Sequence, residues 1–342
     1  METIGIVAGK GGVGKSVLTA GIALSLRKKG FKVGIIDADI YGPSIKQLLS
    51  TTAYPVANIE EKIEPACSSK GIFYISLAFF QKENSTTAVR APIANDIIIQ
   101  FLTAVNWSSL DYLLIDFPPG TGDIPLTLMQ ETSLSVVVVT TPGVLSRGDV
   151  EKAIVMCLQC DVPILGVVEN MSYITVNDAK HFIFGESSGK ILSNKFEIPF
   201  LGEIPLCIQV SNDLGNGNTI ESITEESFIY SISGITEQIH MKCQEKKLGN
   251  RNLQPSHITI INSCLDITWQ DGLHQEIPLA EIQQHCPCQK CRSRYTACAE
   301  RVGATQIMSV GNYAIRIVFT SGCHKGIYPY RLLREIGGKS RV

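Results

Sequence analysis

The chain has 342 residues and a formal net charge of −2, from 30 basic against 32 acidic side chains. Its length exceeds a typical single domain, and its balanced charge argues against a broad nucleic-acid or anionic-membrane surface. The apolar run at 136–139 is far too short to span a bilayer, so no stable membrane insertion is expected.

Residues 3–7 predict a short buried strand, and 17–29 predict a helix with Arg27, Lys28 and Lys29 in its last turn and Gly30 as its stop. Between them runs Gly9-Lys10-Gly11-Gly12-Val13-Gly14-Lys15-Ser16. Strand, glycine-rich turn and helix together form the context of a phosphate loop. Glycines let successive N–H groups curl around a phosphate, and the helix N-terminus adds a favourable field. Lys15 can reach the β and γ oxygens of ATP, and the Ser16 hydroxyl can join a Mg²⁺ shell. Lys10 is a second lysine that cannot easily serve the same phosphates from the same side. Because this strand begins at the N-terminus, no targeting segment is expected.

A strand at 32–36 ends in Asp37-Ala38-Asp39. Acids at the C-terminal edge of a parallel strand sit in the crevice where open α/β sheets bind ligands. One division gives Asp37 the Mg²⁺ water shell and Asp39 the attacking water; helix capping or turn formation is the bland alternative. Residues 58–69 read as irregular, 72–77 as a strand and 93–105 as a helix preceded by Arg90, a switch or surface residue. The strand at 111–115 ends at Asp116, a natural Walker B acid, and Phe117-Pro118-Pro119-Gly120-Thr121-Gly122-Asp123 follows. There Gly120 can present its N–H to a γ-phosphate.

Further strands are expected at 135–140 and 164–168, around a helix at 148–158 that ends near Cys157 and Cys160. That pair reads as buried structural thiols or as ligands. Asn170 is placed to read an adenine edge, and the 198–205 segment, ending at Pro205, brings another turn near the base. Short strands separated by helices define an α/β domain with a mostly parallel sheet and helices on both faces.

Four segments together are highly specific: Gly9 to Ser16, the box from Asp37 to Ser44, the turn from Asp116 to Asp123, and Gly166-Val167-Val168-Glu169-Asn170-Met171-Ser172. They resemble the Mrp/Nbp35 branch of the MinD/ParA-like ATPases, whose members bind and transfer iron–sulfur clusters. The resemblance covers residues 1–240. It implies Lys10 as the signature lysine that crosses a homodimer interface to the partner's nucleotide. Lys15 and Ser16 become phosphate and Mg²⁺ residues, and Asp39 and Asp116 take the roles argued above. Val17 stands where the family usually has threonine. Ordinary members follow Asn-Met-Ser with a Cys-x-x-Cys that holds a cluster across the dimer, whereas residues 173–189 contain no cysteine. That loss, with the C-terminal extension, is similar to the chloroplast relative that serves photosystem I assembly, although the small N-terminal domain common there is absent.

The chain has eleven cysteines and no secretory pattern, which suggests a reducing, cytoplasmic setting where clustered thiols hold metals or clusters. On this reading residues 1–241 form the ATPase domain, 242–255 a polar linker, and 256–338 a small α+β cysteine-rich domain. The latter has strands at 258–261 and 265–269, Gln270-Asp271-Gly272 as a hairpin turn, a helix at 278–285, strands at 306–308 and 313–319, and a helix at 329–336. Cys286, Cys288 and Cys291 form a compact C-x-C-x-x-C, and Cys323 or His324 can complete a tetrahedral site for Zn²⁺ or an iron–sulfur cluster such as 4Fe-4S. Cys298 is expected outside that shell, and Cys67, Cys207, Cys243 and Cys264 are expected as packing or surface thiols. This segment resembles the domain at the N-terminus of γ-butyrobetaine hydroxylase, where three cysteines and a histidine bind zinc. The family's histidine falls on Cys323, which implies an all-cysteine site.

The expectation is an ATP-hydrolysing homodimeric carrier that passes an iron–sulfur cluster to apoproteins, working with assembly factors. The alternative is a positioning or regulatory ATPase of the MinD/ParA kind with a purely structural zinc domain.

Overall fold

The computed structural model describes residues 1–58, 62–81, 91–177, 179–185, 187–252, 254–286, 302–310, 314–320 and 326–339. They fall into two units, Met1–Cys243 and Gln244–Val342.

The first unit opens with β1 (Glu2–Ala8), α1 (Lys15–Lys28), β2 (Val33–Asp37) and a single turn, α2 (Ile45–Leu48). Short strands follow: β3 (Thr51–Ala53), β4 (Val56–Ala57), β5 (Ile63–Glu64), β6 (Ala66–Ser68) and β7 (Phe73–Ile75). The segment read as irregular therefore carries extended pieces, too short to show a period of two. Next come α3 (Ala91–Thr103), β8 (Tyr112–Asp116), α4 (Asp123–Glu131), β9 (Ser135–Thr140), α5 (Val144–Gln159) and β10 (Ile164–Glu169). A hairpin of β11 (Ile174–Val176) and β12 (Ala179–His181) leads to α6 (Ser188–Phe196), β13 (Phe200–Glu203), α7 (Ile208–Gly215) and the long α8 (Glu226–Asn252).

Nine strands form one sheet in the order β13-β10-β9-β1-β8-β2-β7-β6-β3. Neighbours from β13 to β7 pair in parallel, while β6 runs antiparallel to β7 and to β3. On one face, Leu18, Ile22 and Leu26 of α1 and Ile232, Ile235 and Ile239 of α8 pack with Ile4 and Ile6. On the other, Ile98 and Phe101 of α3 and Leu128 of α4 pack with Ile36 and Ile115. Strands covered on both faces must be apolar throughout, which is why β9 reads Ser-Val-Val-Val-Val-Thr without alternation.

Two boundaries differ from expectation. Helix α5 starts at Val144 rather than 148, because Gly143 (φ 103°) makes the turn and the chain is free to coil at once. Residues 242–252, expected as linker, continue α8. Their lysines, glutamine, glutamate and leucine are good helix formers, and polarity alone does not stop a helix.

The second unit holds β14 (Pro255–Ile261), β15 (Cys264–Trp269), β16 (His274–Pro278), α9 (Leu279–Gln284), β17 (Ala304–Val310), β18 (Ala314–Phe319), β19 (Ile327–Pro329) and α10 (Tyr330–Lys339). Strands β14-β15-β16 and β17-β18-β19 form two antiparallel sheets. Alternation turns Leu265, Ile267 and Trp269 inward to meet Ile315, Ile317, Phe319 and Leu333. The buried Trp269 indole donates to Gln275 Oε1 at 2.7 Å. Strands β16 and β19 were not expected: the first is mostly polar and the second is three residues long.

Candidate nucleotide site

The site grows from the C-terminal end of β1, the strand that lies between β8 and β9. Gly9 passes so close to α5 that a Cβ there would lie 2.3 Å from the Asp149 backbone, so the loop requires glycine at this point. Gly14 sits at φ 80°, and a Cβ on it would lie 2.2 Å from Asn170 Nδ2. Between them Gly11 and Gly12 are exposed and Val13 is buried, with α1 starting at Lys15. The loop therefore offers bare backbone outward while its ends are pinned.

Asp116, fully buried at the end of β8, gathers three donors. Lys15 Nζ donates to Oδ1 at 2.7 Å, Ser16 Oγ to Oδ2 at 2.5 Å and Thr19 Oγ1 to Oδ1 at 3.1 Å. Thr19 lies one turn beyond Lys15 on the same helical face, and its contact with Asp116 was not anticipated. Asp37 stands beside Asp116 in register on β2. Its Oδ2 accepts from Ser76 Oγ at 2.9 Å and from the Ile45 N–H at 3.2 Å, while its Oδ1 is buried without a partner. Burial first, and then the Asp116 charge, pushes the Asp37 carboxyl up to about 7. Asp39 is half-buried, bonds the Gly42 N–H at 3.2 Å, and is also raised, chiefly by burial. Asp37 is thus buried, whereas Asp39 is half-exposed at the edge of the crevice.

An orphaned carboxylate oxygen next to a second buried carboxylate and a serine hydroxyl is a donor set of hard oxygens that suits Mg²⁺. Asp37, Asp116 and Ser16 fit such an ion.

On the other side of the loop, Gly14, Val17, Asn170, Met171, Pro205 and Val210 line a cavity of about 160 Å³. The Asn170 amide donates to the Val13 carbonyl at 2.9 Å, so its nitrogen braces the loop and its oxygen remains for a ligand. Pro205 lines this cavity together with Val17 of α1. Gly120, at φ 88°, donates its N–H to the Ala8 carbonyl over a long 3.3 Å. Lys10 is half-buried and has no hydrogen-bond or ion-pair partner among the described residues.

In the second unit Cys286 is buried, and a Cβ on Gly326 would lie 2.9 Å from its sulfur. The first cysteine of the C-x-C-x-x-C run is thereby brought against Gly326, three residues after Cys323 in the sequence. Cys288, Cys291, Cys298, Cys323 and His324, like Arg90, lie outside the described residues. Cys157 is buried at the end of α5, and burial raises its thiol to about 12. Cys67, Cys160, Cys207 and Cys264 are half-buried and Cys243 is buried, and none of them is in a disulfide.

A glycine-rich loop between the central strand of a parallel sheet and a helix, with its lysine on a buried aspartate, defines a P-loop nucleotide-binding protein. The profile of the ParA family, described as NUBPL iron-transfer P-loop NTPase, matches residues 1–240. The chain belongs to that family. A second profile, γ-butyrobetaine hydroxylase-like N-terminal, matches residues 258–334. An iron-sulfur cluster carrier protein of Haemophilus influenzae is 39% identical over 241 residues, 69% of this chain and 65% of that protein. One from Escherichia coli K12 is 39% identical over 229 residues, 66% of this chain and 62% of its own length. The match therefore spans about two thirds of these relatives. A nucleotide-binding protein of Archaeoglobus fulgidus in complex with ADP is 37% identical, with a TM-score of 0.56 over 66% of this chain and 91% of that chain. The cell division ATPase MinD of Pyrococcus furiosus shares the fold at 21% identity and a TM-score of 0.52, over 70% of this chain and 98% of its own.

Proposed function

We propose that the chain is an ATP-hydrolysing homodimer that carries an iron–sulfur cluster on its second unit and hands it to apoproteins. The observation that carries this reading is the buried Lys15–Asp116–Ser16 constellation in a chain of the iron-transfer family. When ATP arrives, Lys15 exchanges Asp116 for the phosphates, and Asn170 and Pro205 border the base. Mg²⁺, held by Ser16 and by Asp37 and Asp116 through water, would neutralise developing phosphate charge. Asp39, at the surface edge of the crevice, orients the attacking water, and Lys10 reaches across to the partner's nucleotide. Gly120 gives up its long bond to Ala8 and reads the γ-phosphate. Hydrolysis then changes how the second unit presents its cargo.

Residues 173–189, which include the β11–β12 hairpin, hold no cysteine, and in this reading the cargo ligands are Cys286, Cys288, Cys291 and Cys323. The cysteines of the described residues form no disulfide, which suits a reducing cytoplasm. Anaerobic purification with iron, sulfide and zinc analysis tests the proposal. The expected product is brown, with iron and sulfide lost in Cys286→Ser and Cys323→Ser. Stoichiometric zinc without iron or sulfide would overturn it in favour of a regulatory ATPase with a structural zinc unit.

A further inference from the structure

The outward face of the β14-β15-β16 sheet carries a donor set that neither the nucleotide site nor the cysteines use. Asp266 on β15 stands directly opposite Glu276 on β16, and His274 precedes Glu276 by two residues on the same face. The alternate residues Leu265, Ile267, Gln275 and Ile277 are buried beneath. His274 Nε2 lies 2.9 Å from Asp266 Oδ2. One ligand atom from each of Asp266, His274 and Glu276 falls within 4.8 Å of the others. Asp266 forms the floor at 15% exposure and His274 the rim at 50%.

Like charges directly opposite on paired strands repel. Among the described residues no lysine or arginine pairs with either carboxylate; the imidazole is the partner of Asp266. A divalent cation would neutralise both acids at once. One imidazole nitrogen and two carboxylate oxygens suit a first-row ion such as Mn²⁺, Fe²⁺, Co²⁺ or Zn²⁺, and three protein ligands leave coordination positions open. We infer that Asp266, His274 and Glu276 form a second metal site, separate from the nucleotide and cysteine sites, that takes such an ion. The imidazole already faces the carboxylate at 2.9 Å, and the exposed Glu276 side chain can close on the ion from the neighbouring strand.

The test uses full-length protein with ¹³C-labelled histidines, without nucleotide, titrated with Mn²⁺. This ion is paramagnetic and a poor partner for thiolates. His274→Asn assigns the resonance among six histidines. The His274 signal should broaden before those of His257 and His285. Loss of an outer-shell partner alone costs metal sites about tenfold in affinity, so Glu276→Gln, which removes a ligand, should raise the Mn²⁺ needed by about tenfold or more. Glu276 is exposed, and unchanged signals from the other histidines would show that the fold is kept. Broadening of His274 no greater than that of His257, or an unchanged response in Glu276→Gln, would overturn the assignment.

Discussion

Lys15 and Asp116 lie 101 residues apart and meet as a buried ion pair at 2.7 Å, so each alone would be a costly charge in the core. Lys15→Ala should therefore cut ATP turnover by about 100-fold or more. Lys10 has no such partner among the described residues. Lys10→Ala should keep ADP affinity within about threefold while turnover falls by about 100-fold, as for charges supplied across an interface. An unchanged hydrolysis rate in Lys10→Ala would contradict its role. Asp37 makes a prediction in pH. Its proton is held up to about 7 in the folded chain and released near 3.8 in the unfolded one. The stability it contributes is present in full below pH 3.8 and is lost as pH rises through 7. Without added divalent metal, Asp37→Asn should thus gain stability over wild type between pH 5 and 8, on the order of 2 kcal/mol. A pH-independent difference in thermal midpoint would exclude this. Lys15, Ser16 and Asp116 were legible in the sequence because each belongs to a local pattern. Thr19 and Ser76 were not, because their contacts with Asp116 and Asp37 depend on which strands become neighbours.

Strand β1 and helix α1 were readable because a glycine turn separates a fully apolar run from a helical one. The strands β3 to β6, two or three residues each, and the polar β16 carry too little pattern to register. The loop's dependence on α5 was also invisible, since it rests on the close approach of Gly9 to Asp149. Gly9→Ala should destabilise the first unit by about 1–3 kcal/mol in urea unfolding and weaken nucleotide binding with it. Wild-type stability would show that α5 can yield. The hairpin β11–β12 is held from outside by ordinary side chains. Lys180 sits 3.9 Å over the Tyr173 ring, and Lys180 and Lys190 both reach Glu203.

At the scale of the molecule, the family was legible from motifs, while the state of residues 242–252 was not, because polarity alone does not distinguish a linker from the end of a long helix. The second unit's fold rests on its own apolar core, with Cys286 inside it. Cys286→Ser should therefore lose cargo and some stability together, whereas ATP turnover by the first unit should stay within about twofold. The whole account depends on two chains closing on nucleotide, each lending Lys10 to the other. The most direct measurement is sedimentation of the protein with ATP and Mg²⁺, alongside specific turnover across a hundredfold range of protein concentration. The account predicts a nucleotide-dependent dimer and a specific activity that rises with concentration, both lost in Lys10→Ala. A chain that stays monomeric with ATP bound, at constant specific activity, would contradict it.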